Sequence, residues 1–134
     1  MLIFAFIYRQ SYSGPASMKI LFLVPYPPNT APSQRFRFEQ YLDGLSGNGH
    51  TFEMVSFWDQ SSWSMLYSYR NNFKMMLGLL RGYWRRVALL KKLHRFDIIF
   101  IHREATPLGV PWMEWYIKYC TKTPIIYDFD DAIW

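Results

Sequence analysis

KILFLVP, residues 19–25, is a continuous apolar run of strand length that Pro25 closes and that Pro27 and Pro28 keep from resuming. A strand that is apolar at every position, not at alternate ones, is covered on both faces, as in a parallel sheet with helices on either side. The same pattern returns in DIIFIH (97–102) and PIIYDF (124–129), while TFEMVSFW (51–58) alternates and carries β-branched residues. Stretches of helix length separate these runs. Ser33 is placed as N-cap of a helix over residues 34–45, which has Phe36, Tyr41, Leu42 and Leu45 on one side and ends among Gly44, Gly47 and Gly49. A Ser-rich turn after the second strand leads into helical periodicity from about Met65 or Asn71 to Leu93, and Pro111 opens a helix that reaches Cys120. This β-α-β-α-β-α-β order predicts an α/β fold, a Rossmann-like parallel sheet flanked by helices with right-handed crossovers.

The 134 residues suit one domain, and a hydrophobic content of 51% with 20% aromatic residues excludes disorder, collagen-like repeats and a charged coiled coil. Residues 18–134 are read as that domain. Residues 1–17 are read as a tail or upstream extension, since the apolar run MLIFAFI lacks the basic start and longer core of a secretory signal and Met18 opens the first strand. No apolar run approaches the roughly 18 residues of a spanning helix. The single cysteine, Cys120, has no CxxC partner and is expected as a small buried residue. The sequence stops at DAIW with no helix to cover the last strand, so the domain is expected to be incomplete, the N-terminal part of something longer.

The net charge of +5 is a local feature. Between Gln60 and Phe96 stand eight basic residues and no acid, which leaves seven basic against ten acidic elsewhere, so one basic face is expected and not a nucleic-acid surface. At about 100° per residue, Arg70, Lys74, Arg81, Arg85, Lys92 and Arg95 fall in a stripe roughly 80° wide. Phe73, Met76, Leu80, Tyr83, Trp84, Val87 and Leu90 take much of the other side. Such a helix packs its apolar side on a sheet with its basic side solvated, and its basic stripe is also suited to touch an anionic membrane surface.

In an open parallel sheet, ligands bind at the carboxyl ends of the strands. No GxGxxG follows the first strand and no GxxxxGK[ST] occurs, so the phosphate-cradling glycines of dinucleotide and P-loop sites are absent, and no cofactor is expected. Ser33, Arg35 and Arg37 follow the first strand, where hydroxyl and guanidinium donors favour an anionic or hydroxyl-rich ligand, or simply cap and solvate a helix. His102, Arg103 and Glu104 end a buried strand and offer an acid/base, an anion-binding cation and its structural partner. Asp128, Asp130 and Asp131 crowd three carboxylates into four positions, which repel unless a cation, a hydroxyl network or a raised pKa compensates. IIYDFDDA also resembles the motif of haloacid-dehalogenase phosphotransferases, though Ala132 stands where they have Thr or Val, and a D-x-D can hold a nucleotide-sugar metal.

Taken together, MKILFLVPYPPNTAPSQRFRFEQYL, DIIFIHREATPLGVP and IIYDFDDAIW resemble, in order and spacing, the N-terminal half of family 4 (group 1) glycosyltransferases of the GT-B fold, over residues 18–134. The chain departs from many of them in having Pro32-Ser33 for Gly-Gly and no His near the fourth-strand end. The resemblance implies an acceptor-side domain. A nucleotide-sugar donor would bind to a C-terminal domain with an E-x7-E motif, the acceptor would be a cell-envelope glycan or lipid-linked sugar, and transfer would retain anomeric configuration without a metal. It also implies that the present chain alone is inactive, and a cytoplasmic location, peripheral on the inner face of the plasma membrane. Ser33, Arg35, Arg37, His102, Arg103 and Glu104 would then meet the acceptor, and Asp128, Asp130 and Asp131 would be the catalytic carboxylates, facing the donor sugar. A non-catalytic membrane-surface or interaction module and the phosphotransferase remain the competing expectations.

Overall fold

A computed structural model describes residues 17–66, 72–107 and 109–129. Most of the N-terminal extension, Arg70, Asp130, Asp131 and the DAIW end lie outside the described residues. Four strands, β1 (Lys19–Val24), β2 (Thr51–Ser56), β3 (Ile98–His102) and β4 (Ile125–Asp128), form one sheet in the order β2-β1-β3-β4, every neighbouring pair parallel. Helices cover both faces, and the fold is Rossmann-like α/β.

The uninterrupted apolar strands are the reason. In β1, Ile20, Phe22 and Val24 face one side with Phe38, Leu42, Leu45 and Phe100, while Leu21 and Leu23 face the other with Ile99, Ile101, Leu89, Leu93, Met113 and Ile117. Burying each such side chain contributes about 1.5–3 kcal/mol, and a central strand collects that on both faces. β2 and β4, at the edges, are only half-buried along most of their length. On the Phe22 side, Phe38 stacks on Phe22 at 5.1 Å and 15° between planes, and meets Phe100 at 5.4 Å.

The connection from β1 to β2 does not form the single helix expected over residues 34–45. It divides into α1 (Pro32–Arg37), a 3-10 turn (Glu39–Tyr41) and α2 (Leu42–Gly47). Ser33 is not the cap: Ala31 takes that place with no side-chain bond, and Pro32, whose missing N–H costs nothing in the first turn, starts the helix. The break comes at Phe38, whose backbone leaves the helical region (φ −145°, ψ −32°) as its ring is drawn fully into the core. Gln34 is also fully buried and donates to the Tyr26 carbonyl (3.2 Å) and to Glu39 Oε1 (2.6 Å), and Glu39 accepts from Asn29 N–H (3.0 Å). The Pro-rich loop is thereby tied to its own helix.

The Ser-rich stretch after β2 is helical, α3 (Gln60–Leu66). Asp59 caps it by accepting the Ser62 N–H at 2.7 Å, a bond to the third helical position that periodicity in apolar residues could not reveal. α4 (Asn72–Leu90) and α5 (Trp112–Cys120) cover the Leu21 side of the sheet. α4 is turned the opposite way from expectation. Its inward line is Gly78, Gly82, Arg86 and Leu89, whereas Phe73, Met76, Leu80, Trp84 and Val87 are exposed. The cause is local: a Cβ at position 82 would stand 2.6 Å from Phe57, and one at 78 would stand 2.5 Å from Ser62 Oγ, so only glycines let the helix approach this closely. Cys120 is exposed, not buried, because α5 buries Met113 and Ile117 and has left the sheet by its last residue.

Candidate functional site at the carboxyl ends of the strands

β1 is followed by a connection to β2 on one side, and the chain then crosses to β3 on the other, so the carboxyl ends of β1 and β3 border the place where strand order reverses. Open α/β sheets form their crevice there. α1 descends from β1 on the Phe22 face, and His102 and Asp128, directly paired in the β3–β4 register, end their strands beside it.

Asp128 is the hub. Its Oδ1 accepts from Arg37 Nη1 at 2.8 Å and its Oδ2 meets His102 Nδ1 at 2.8 Å. A carboxylate can only accept, so Nδ1 carries the hydrogen and the ring tautomer is fixed by Asp128. The carboxyl is 5% exposed and His102 is fully buried, whereas the Arg37 side chain is 38% exposed. Of the three, Arg37 is therefore the side chain open to solvent, with Asp128 orienting it and His102 orienting Asp128. Asp128 thus has a cation beside it in Arg37.

The turn after β3 is held by the same pair of strands. Arg103 has φ 62°, uncommon for a residue with a side chain, and its N–H donates to the Asp128 carbonyl at 2.8 Å. The Arg103 guanidinium reaches the Tyr26 hydroxyl at 3.3 Å, and Tyr26 in turn lies 4.5 Å from Trp63, centroid to centroid. Tyr26 and Arg103 thus meet beyond the ends of β1 and β3, while Arg37, on α1, meets Asp128 at the end of β4.

The other sequence candidates stand apart. Arg35 is exposed and lies 5.0 Å over Phe36, and Ser33 is in the first turn of α1. Glu104 belongs with Glu114 and Tyr127 on the opposite face. Burial and the charge of Glu114 raise the Glu104 carboxyl against the pull of Arg103. Burial, Glu114 and Glu104 push the Tyr127 phenol up to about 12. Among the described residues no group of three His, Cys, Asp or Glu side chains could hold a metal ion.

Arg86 was not singled out by the sequence. It is fully buried and donates to three backbone carbonyls, Ala105 (2.7 Å), Val55 (2.9 Å) and Val24 (2.9 Å), so that one side chain ties together the ends of β1 and β2 and the loop after β3. Glu114 takes the Ala105 N–H at 3.1 Å, gripping the same residue from its other side. Burial and Arg85 lower the Arg86 pKa to about 9, opposed by Glu114, which leaves it cationic at neutral pH. The available signal was the spacing Gly78, Gly82, Arg86, one small-residue line that ends in a long polar side chain.

Compared with protein-family models, curated proteins and solved structures, the chain gives no match. Its chemistry rests on the geometry above. Of the basic residues assigned to a surface stripe, Lys74, Arg81, Lys92 and Arg95 are exposed, Arg85 is ion-paired to Asp59 at 2.9 Å, and Arg70 lies outside the described residues.

Proposed function

We propose that the chain is the acceptor-side domain of a GT-B-type glycosyltransferase, working with a nucleotide-sugar-binding domain to glycosylate a cell-envelope glycan or lipid-linked sugar. The observation that carries this reading is the Arg37–Asp128–His102 arrangement at the strand-order reversal: a part-exposed guanidinium held at 2.8 Å by a buried carboxylate that is itself held at 2.8 Å by a buried imidazole. The Arg37 guanidinium is a planar fork of N–H donors, a chemistry that suits sugar hydroxyls or the anionic link of a lipid-borne acceptor. Arg103 and Tyr26, paired beyond the ends of β1 and β3, supply a second cation and a hydroxyl at the same carboxyl edge of the sheet. In this reading Arg37 touches the acceptor, while Asp128 and His102 are positioning residues.

The same geometry weakens the phosphotransferase reading. That chemistry needs the first Asp of the motif free to attack, and both oxygens of Asp128 are already engaged in a nearly dry site.

The test is transfer by the full reading frame that contains this chain. UDP-glucose, UDP-N-acetylglucosamine and GDP-mannose, each radiolabelled in the sugar, are supplied with a lipid extract of the source cells. Label entering the lipid fraction, and a loss of at least tenfold in kcat/KM for Arg37→Ala with the fold retained, are the expected results. No transfer from any of the three donors, or transfer unchanged in both Arg37→Ala and Asp128→Asn, would overturn the proposal.

A further inference from the structure

α4 buries the side of itself that is least apolar and presents the side that is most apolar to the outside. Phe73, Met76, Leu77, Leu80, Trp84 and Val87 are all exposed, Trp84 by 74%, Phe73 by 65% and Leu80 by 59%. At about 100° per residue these six positions fall on one outward stripe within roughly 100° of arc. An unbroken apolar stripe of this kind on a monomer marks a surface that something covers.

The charge beside the stripe says what covers it. Lys74 and Arg81 run along one border, and Lys91 and Lys92 follow at its C-terminal end, all of them exposed. No acidic residue occurs from Gln60 to Phe96, so nothing on this helix neutralises them. We propose that the outward face of α4 lies in the headgroup region of an anionic lipid bilayer. The apolar side chains enter the acyl boundary, the Trp84 indole sits at the interface where one edge is apolar and one polar, and the lysine and arginine stems reach back to lipid phosphates. A basic border complements anionic phosphate, whereas a neutral apolar protein groove would leave these cations unanswered. The helix lies flat: among the described residues none is long and apolar enough to cross a membrane. The contact surface is thus the apolar stripe, with the basic residues as its border. This inference does not rest on glycosyl transfer and stands or falls separately from it.

Flotation of the 134-residue chain with vesicles of phosphatidylcholine alone, or of phosphatidylcholine with phosphatidylglycerol, tests it at low and high salt. The chain is expected to float with the anionic vesicles, less so in high salt. Leu80→Asp and Trp84→Asp should each weaken that binding at least tenfold, and Lys74→Glu with Arg81→Glu should remove the preference for anionic lipid. These side chains are exposed, so the variants should retain the wild-type circular dichroism, and Trp84→Phe should still bind. No flotation with anionic vesicles would overturn the proposal, as would binding that Leu80→Asp leaves intact. Sedimentation velocity without lipid supplies the third arm: self-association that Leu80→Asp abolishes, in a chain that ignores vesicles, would assign the stripe to a second copy and overturn the lipid assignment.

Discussion

Arg37 and Asp128 meet at 2.8 Å across 91 residues of sequence, α1 reaching β4. Neither side chain has its geometry without the sheet between them. Arg37 is carried by a helix that starts at Pro32 because Pro25 has ended β1, and Asp128 is aligned because β4 pairs with β3 in parallel register. Truncating Asp128 to Ala removes the carboxylate that accepts from the fully buried His102 Nδ1 and from Arg37, with an expected loss of about 2–3 kcal/mol. Arg37→Ala should cost less, about 1–2 kcal/mol, because the guanidinium is partly solvated. Urea midpoints of both variants and of the double variant check this, and a coupling energy of about 0.5 kcal/mol or more is expected for the pair.

Arg86 and Arg85 are neighbours in sequence with opposite environments. Arg86→Ala removes the donors of three strand-end carbonyls and leaves a hole in the core, so a loss of about 3–5 kcal/mol is expected. Arg86→Lys keeps the charge but offers one compact head to three acceptors and should recover only part of that. Arg85→Ala breaks a half-exposed pair with Asp59 and should cost less than about 1 kcal/mol. Thermal unfolding of the three variants side by side is the measurement, and equal losses at 85 and 86 would contradict the clamp.

Glycines separate by what a methyl group would meet. At Gly82 an added Cβ would stand 2.6 Å from two carbons of Phe57, a ring boxed in by Trp58, Tyr83 and Arg86. Gly82→Ala should therefore destabilise by about 1–3 kcal/mol in spite of alanine's better helix propensity. Gly44, inside α2, has nothing within 4 Å of such a Cβ, so Gly44→Ala should stabilise by about 0.5–1 kcal/mol. Urea denaturation should show the two changes with opposite sign.

Asp59 gives the fold an acid-sensitive cap. Burial by itself would raise its carboxyl, but the Ser62 N–H, the Ser62 and Ser61 hydroxyls and the Arg85 charge together hold it down to about 2. A depressed carboxylate contributes stability that is complete above its ordinary 3.8 and is lost as pH falls through about 2. Asp59→Ala should cost about 1 kcal/mol near neutral pH, as for other N-caps, and the gap from wild type should close as pH falls across that window. Urea midpoints at a series of acidic pH values would show the convergence.

The strands were legible in the sequence because burial on both faces leaves no polar position, and Ile20–Val24 and Ile98–Ile101 have none. That His102 and Asp128 end their strands was legible too, since a polar residue closing an apolar run marks where the sheet gives way to the crevice. What the sequence could not supply was the partner of each. Nothing local links Arg37 to Asp128, or Arg86 to Val24, and only the parallel register brings these separations to hydrogen-bond distance. Periodicity pointed to a helix from about Met65 or Asn71 to Leu93, observed over Asn72–Leu90, with two unlike sides but not to which side faces inward, because an apolar stripe reads the same whether a sheet or something outside the domain covers it. Tertiary packing decided that, through Phe57 and Ser62 requiring glycine at 82 and 78, and through an arginine long enough to reach three carbonyls from the helix that those glycines bring close.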